Sequence, residues 1–182
     1  MKNRLLLLST ILVALGLSAC AALVPNQYAV PKAKLESRLQ QSFPLQREVG
    51  KGLMSVSMNA PVLNLLADKN RVELLGDFAV HSLLVDTLAG RFSVSGSLRY
   101  DRTERAVYMQ DAQLDTLQMS TDASAAEMLR PFLNAMLRDY LNSTPLYHFQ
   151  PDELRFAGTE IDINAIQIQA DAIVFKLQAK PH

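Results

Sequence analysis

From Leu88 to Tyr100 large apolar residues or glycines alternate with small or polar ones. Leu88, Gly90, Phe92, Val94, Gly96, Leu98 and Tyr100 fall on one side, and Ala89, Arg91, Ser93, Ser95, Ser97 and Arg99 on the other. Successive side chains of a strand point to opposite faces, so this period of two would scatter its apolar residues around a helix but gathers them on one face of a strand. The segment therefore predicts a long strand with one covered face, the pattern of antiparallel sheets. Two neighbours repeat it. Met54, Val56, Met58 and Ala60 share a face against Ser55, Ser57 and Asn59, and Val72, Leu74, Gly76, Phe78 and Val80 alternate with Glu73, Leu75, Asp77, Ala79 and His81.

Asp101 to Arg105 reads as a polar turn, followed by a strand from about Ala106 to Leu117. There Asp111 and Gln113 share a face with Val107 and Met109, which predicts a bulge or an edge. Strands of this length exceed the usual five or six residues and tend to coil. Gly76, Gly90 and Gly96 all fall on the apolar side, where glycine marks a bend or the close approach of another group. Three on one face predict a strongly curved sheet or close packing against a helix.

Leu129, Phe132, Leu133, Met136, Leu137, Tyr140 and Leu141 follow at helical spacing and form one apolar stripe, with Arg130, Asn134, Arg138 and Asp139 opposite. Phe132, Leu133, Met136, Leu137 and Tyr140 are expected to be buried, and Arg130, Asn134 and Arg138 exposed. Ser124 and Glu127 have the spacing of a capping box. Pro131 is expected to break or kink this run or to start the main helix, and Thr144-Pro145 to end it. Upstream, Tyr28 to Val30 is extended and Lys32 to Gln41 reads as a shorter helix, its stripe of Leu35 and Leu39 continued by Phe43 and stopped by Pro44. Downstream, Ile166 and Ile168 lie in one strand, and Ile173, Phe175 and Leu177 in the next.

The beginning of the chain reads as an address. Lys2 and Arg4 precede a largely apolar run, Leu5 to Leu17, too short to span a bilayer as a stable helix. The run ends Leu17-Ser18-Ala19-Cys20, which resembles the lipobox of bacterial lipoproteins. The resemblance implies cleavage before Cys20 and acylation of its thiol and new amine by chains such as palmitate; two or more such chains hold a protein firmly at a membrane. Cys20 is the single cysteine of the chain, so no internal disulfide or cysteine-based zinc cluster forms. Ala21 stands where aspartate favours inner-membrane retention in such lipoproteins, which points to the outer membrane with the domain facing the periplasm. The organisation expected is a signal peptide over 1–19, a lipidated tether over 20–26 and one domain over 27–182. Six residues from Ala21 to Asn26 reach roughly 20 Å at about 3.3 Å each, so the domain sits close to the membrane.

Charge and motifs exclude several functions. The chain of 182 residues has 18 basic and 18 acidic residues, with no basic excess for nucleic acid. There is no Gly-x-Ser-x-Gly elbow and no phosphate-cradling glycine loop. His81 and Asp86 read as an exposed strand histidine and a turn aspartate rather than part of a triad, and His148 and His182 have no catalytic neighbours. Glu160, Asp162 and Asn164 read as a solvated strand face rather than a calcium site. The expectation is a protein that is not an enzyme, with no metal and no cofactor.

The segment Met128 to Tyr147, with its Pro-Phe-Leu-Asn and Asp-Tyr-Leu-Asn blocks and the following Pro145, resembles the YceB-like family of small bacterial lipoproteins, a domain of unknown function. The likeness covers most of the mature chain and fades after His148. It implies an α+β fold similar to the tubular lipid-binding (TULIP) superfamily: a strongly curved antiparallel sheet wrapped around a long amphipathic helix, plus a short N-terminal helix. No catalytic residue comes with it. The residues expected to line a groove for a lipid are Met54, Val56, Met58, Leu74, Phe78, Phe92, Val94 and Leu98 from the sheet. From the helix they are Leu129, Phe132, Leu133, Met136, Leu137 and Tyr140. Gly76 and Gly96 are expected to leave room for an acyl chain. The function expected is a membrane-anchored lipoprotein, attached through Cys20, that binds a lipid or other apolar ligand; its protein partners are unknown. The alternative is a structural or accessory lipoprotein of an envelope complex whose interior is fully packed. Interior volume separates the two.

Overall fold

The computed structural model describes residues 25–41, 43–49, 54–82, 87–120, 123–156 and 158–179. The signal segment, Cys20 and most of the tether lie outside the described residues, as do Asp86 and His182. Along the chain come β1 (Gln27–Pro31), α1 (Lys32–Gln41), β2 (Leu45–Val49), β3 (Met54–Met58), β4 (Val62–Leu66), β5 (Arg71–Ser82), β6 (Leu88–Asp101) and β7 (Ala106–Met119). Then follow α2 (Ala123–Ser143), β8 (Tyr147–His148), β9 (Arg155–Phe156), β10 (Thr159–Ile168) and β11 (Ala172–Ala179). The fold is mostly β, with two helices among the described residues and a large sheet that curls as a half-barrel. That sheet has the order β2-β3-β5-β6-β7-β8, with β4 beside β5 in tandem with β3; a second sheet has the order β1-β11-β10-β9. Every pairing is antiparallel.

The inner face of β6 follows the alternation in the sequence, and Phe92 and Val94 are buried. Ser93 and Ser95, expected on the open face, are buried too. They are short residues of a central strand overlaid by longer neighbours. The Ser93 hydroxyl lies 2.9 Å from that of Thr116, and the Arg71 guanidinium crosses the strands to bond the carbonyls of Ser95 and Asp111, each at 3.0 Å.

Two extra residues in β7 explain its mixed pattern. The register steps from Ser93↔Thr116 to Val94↔Leu114, and from Ser95↔Gln113 to Ser97↔Gln110. Each step shifts the inward parity, from Val107 and Met109 to Ala112 and Leu114, and then to Leu117. Asp111, the residue whose sidedness pointed to a bulge, lies at one step with φ 51°. A similar step in β10 between Ile163 and Ala165 removes Asn164 from the expected row of Glu160, Asp162 and Asn164. Nor is that row solvated throughout: Asp162 is only 3% exposed, because Arg102 from the β6–β7 turn pairs with it at 2.5 Å.

Helix α2 begins at Ala123 and continues through Pro131. Ser124 is therefore helical rather than a cap. Pro131 neither ends nor starts the helix; it lies on an exposed side, where loss of one backbone hydrogen bond is least costly. The helix packs chiefly against β7. The Asn134 Oδ1 accepts the Leu114 N–H at 3.0 Å, beside the stepped register of that strand. Leu133, Leu137 and Leu141 join Val56, Phe78 and Phe92 of the large sheet and Phe175 of the small one in one apolar core.

Candidate functional site

Val56, Met58, Leu74, Phe78, Phe92 and Val94 point inward and are buried, and Leu98 is half-buried. On α2, Leu133 and Leu137 are buried, and Met136 and Tyr140 are half-buried. Phe132, expected inside, is 41% exposed. Arg138 is exposed as expected, whereas Asn134 and Arg130 are half-buried. The buried face of the helix is thus narrower than the stripe, because one neighbouring sheet face covers Leu133, Leu137 and Leu141 and leaves Phe132 at its margin. The side chains of Met54 and Leu129 lie outside the described residues.

These side chains meet with little space between them. The gap lined by Val56, Met58, Phe78, Phe92, Leu114, Leu133, Met136 and Leu137 holds about 10 Å³. A second gap of about 10 Å³ lies deeper, among Leu35, Leu63, Val72, Leu98, Ile173 and Phe175. Such volumes accommodate about one water at most. The glycines expected to leave room are instead where neighbouring side chains reach the backbone. A Cβ at Gly76 would lie 3.0 Å from the Phe92 ring, and one at Gly96 would lie 2.8 Å from Met109 Sδ and 2.8 Å from the Gln110 carbonyl oxygen. Their neighbours take the volume that the glycines free, so close packing is the role these positions serve here.

A wider apolar space opens where the C-terminal ends of the two helices approach each other. This pocket of about 300 Å³ is walled by Leu39, Phe43, Leu74, Leu141, Leu146 and Tyr147, with Arg38, Gln41, Tyr140, Thr144, Pro145 and His148 completing it. Leu74 and Tyr140 belong to the residues predicted from the sequence. The rest of the wall is supplied by the end of α1 and Phe43 beyond it, by Leu141 in the last turn of α2, and by the segment after α2. Thr144 N–H closes the helix on the Tyr140 carbonyl at 2.8 Å, and Leu146 N–H bonds the Val107 carbonyl at 2.8 Å, so the loop is fixed on β7. The signal for it was Thr144-Pro145, read as a helix stop and not as a wall.

Below Tyr147 lies a polar cluster that sequence reasoning missed. Glu153 Oε1 accepts the Tyr147 hydroxyl at 2.7 Å, the Tyr28 hydroxyl at 2.9 Å and Lys34 Nζ at 2.7 Å, while Oε2 accepts the Gln150 N–H at 2.9 Å. Burial acts to raise the Glu153 carboxyl, but Lys34, the Gln150 N–H and the two hydroxyls outweigh it and hold the carboxyl at about 2. The same carboxylate raises Lys34, and burial raises the Tyr147 phenol, so all three keep their ordinary charge states at neutral pH. The Arg38 guanidinium sits 5.6 Å from the Tyr147 ring centroid. Phe149 packs edge-on against Tyr100, Tyr147 and Phe175. Helix α1 and the loop around β8 are thereby locked into one wall.

Two other concavities are present. One of about 540 Å³ is shallow and wide open; Phe78, Ala79, Ala89 and Met119 give it an apolar floor, edged by Asp77 and Arg91, so Phe78 of the expected groove residues also faces it. The other, polar and of about 400 Å³, lies between the β6–β7 turn and β10. His81 is an exposed strand residue whose Nδ1 lies 3.0 Å from the Thr87 hydroxyl. Among the described residues no three His, Cys, Asp or Glu side chains are placed to hold a metal ion. No helix there is long and apolar enough to cross a membrane.

Residues 30–172 match the model of a family described as "Protein of unknown function (DUF1439)". The chain belongs to that family. The matched range contains both helices, the whole large sheet and the Met128–Tyr147 segment that carries the YceB-like resemblance. No curated protein matches the chain. Among solved structures it is similar to one titled "Crystal structure of lipopolysaccharide binding protein", at 10% identity and a TM-score of 0.37, over 86% of this chain and 41% of that one. The chain thus spans about two fifths of that structure's length.

Proposed function

We propose that the chain is a lipoprotein anchored through Cys20 in the outer membrane, facing the periplasm, and that it binds a lipid or another apolar ligand without chemical turnover. Its sheet and α2 are read as a TULIP-like arrangement with α2 along the hollow side. The observation that carries the reading is the pocket of about 300 Å³ between the helix ends: six aliphatic or aromatic walls under a rim that includes Arg38, Gln41 and His148. About six methylenes seated there would contribute about 5 kcal/mol at about 0.8 kcal/mol each, a Kd on the order of 0.1–1 mM for a single chain. The ligand seats at this mouth rather than between α2 and the sheet.

The alternative, an accessory lipoprotein of an envelope complex with a packed interior, draws on the two gaps of about 10 Å³. Titration of the full chain with an environment-sensitive fluorescent fatty acid separates the two. The lipid-binding reading expects saturable binding, weakened several-fold by Leu146→Gln and unchanged by Val62→Gln, since the Val62 side chain is 58% exposed and is not part of the pocket lining. No saturable binding would leave the accessory reading.

A further inference from the structure

The β6–β7 turn separates its charges. Asp101 accepts the backbone N–H groups of Thr103 at 3.0 Å and Glu104 at 3.1 Å and pairs with Arg99 at 3.1 Å. Glu104 accepts the Tyr108 hydroxyl. Both carboxylates are thus occupied within the turn. Arg102 and Arg105 instead line the concavity of about 400 Å³ that faces β10. Arg105 has φ 51°, a left-handed conformation uncommon outside glycine, and its carbonyl accepts the Phe149 N–H at 2.9 Å, which fixes the backbone that aims its side chain. Arg155 of β9 completes the basic lining.

Glu160 and Asp162 also lie there. Asp162 is committed to Arg102 and to Gln178 Nε2 at 3.4 Å, and burial of its charge requires that pairing. Arg102 spends one donor on Asp162 and has others left. Arg105 and Arg155 are exposed, and Glu160 stands opposite Arg155 in the β9–β10 pairing. Three guanidinium groups face two carboxylates, and planar guanidinium forks match the oxygens of a phosphate.

We infer that this concavity binds a phosphate group, carried either by a small soluble anion or by a lipid headgroup, with Arg105 and Arg155 as its main ligands and Arg102 as a third. The position bears on the source. Asn26, at the start of the described chain, bonds Leu177 of β11, and Asp162 pairs with Gln178 on the opposite edge of that strand. The two are about 10 Å apart, two strand spacings. This bearing rests on the proposed anchor at Cys20, whose tether joins the described chain at this end of the molecule. Phosphate binding itself does not depend on the anchor or on the apolar pocket.

The test is calorimetric titration of the full chain in non-ionic detergent with inorganic phosphate and, separately, with dihexanoyl phosphatidylglycerol. Arg105→Gln and Arg155→Gln should each weaken binding about tenfold, as loss of a charge-assisted contact does. Arg91→Gln, an exposed arginine outside this lining, should leave binding unchanged. Binding of both probes with this pattern supports the site for soluble phosphates, and binding of the lipid alone supports it for headgroups. No saturable binding of either probe, or equal weakening by Arg91→Gln, overturns it. Inorganic phosphate has no acyl chain, so failure of fatty-acid binding at the apolar pocket reads out separately.

Discussion

Gly96→Ala is the most informative single substitution in the interior. Gly96 is buried at the register step of β6 and β7, against the side chain of Met109, which is itself fully buried. The added methyl group would lie 2.8 Å from Met109 Sδ and 2.8 Å from the Gln110 carbonyl oxygen, against ordinary contacts of about 3.5–4.0 Å. Met109 would have to move, and the carbonyl belongs to the paired strand and yields little. Overpacking of this kind costs about 1–3 kcal/mol. Replacing a strand glycine by alanine returns about 0.5–1 kcal/mol of backbone entropy. The net expectation is a loss of about 1–2 kcal/mol, read as a lowered midpoint in urea unfolding of the full chain followed by far-ultraviolet circular dichroism. In a Met109→Ala background the thioether clash disappears, so the same substitution should cost less there, with a coupling of about 0.5–2 kcal/mol. Equal or higher stability of Gly96→Ala in the otherwise wild-type chain would refute the close approach and reopen the gap as space for a ligand.

Other consequences follow from the same contacts. Glu153 titrates at about 2 in the folded chain against 4.5 ordinarily. Its contribution is therefore present above pH 4.5 and lost as pH falls towards 2, so Glu153→Gln should flatten this acid limb of the stability profile. Asn134→Ala leaves the Leu114 N–H without its partner and should cost about 1–3 kcal/mol in the same unfolding assay. Cys20→Ser should abolish incorporation of a fatty-acid analogue during metabolic labelling; undiminished label would reject the lipobox reading.

How much the sequence disclosed varies by element, for physical reasons. β5 and β6 are legible because each keeps one face inward along its length. β7 is not, since two extra residues change its parity, although Asp111 betrayed one of them. β2 and β4 escape periodicity: Leu45 and Val49 are separated by three polar residues, and Val62 to Leu66 is nearly all apolar. The stripe on α2 located its buried leucines, but how far a sheet face extends over Phe132 is a tertiary matter. The pocket between the helix ends and the Glu153 cluster join residues more than 100 positions apart, such as Tyr28 and Glu153, and no local spacing announces such a meeting.

The central claim is that an apolar ligand seats between the helix ends and not inside the sheet. Photo-crosslinking of the full chain with a diazirine-bearing fatty acid, followed by peptide mass spectrometry, tests it most directly. Label should concentrate on Leu39–Phe43 and Tyr140–His148 and fall with unlabelled competitor. Competable label on Phe92, Leu133 or Leu137 would place the ligand in the gap described as closed, and no competable label anywhere would contradict lipid binding itself.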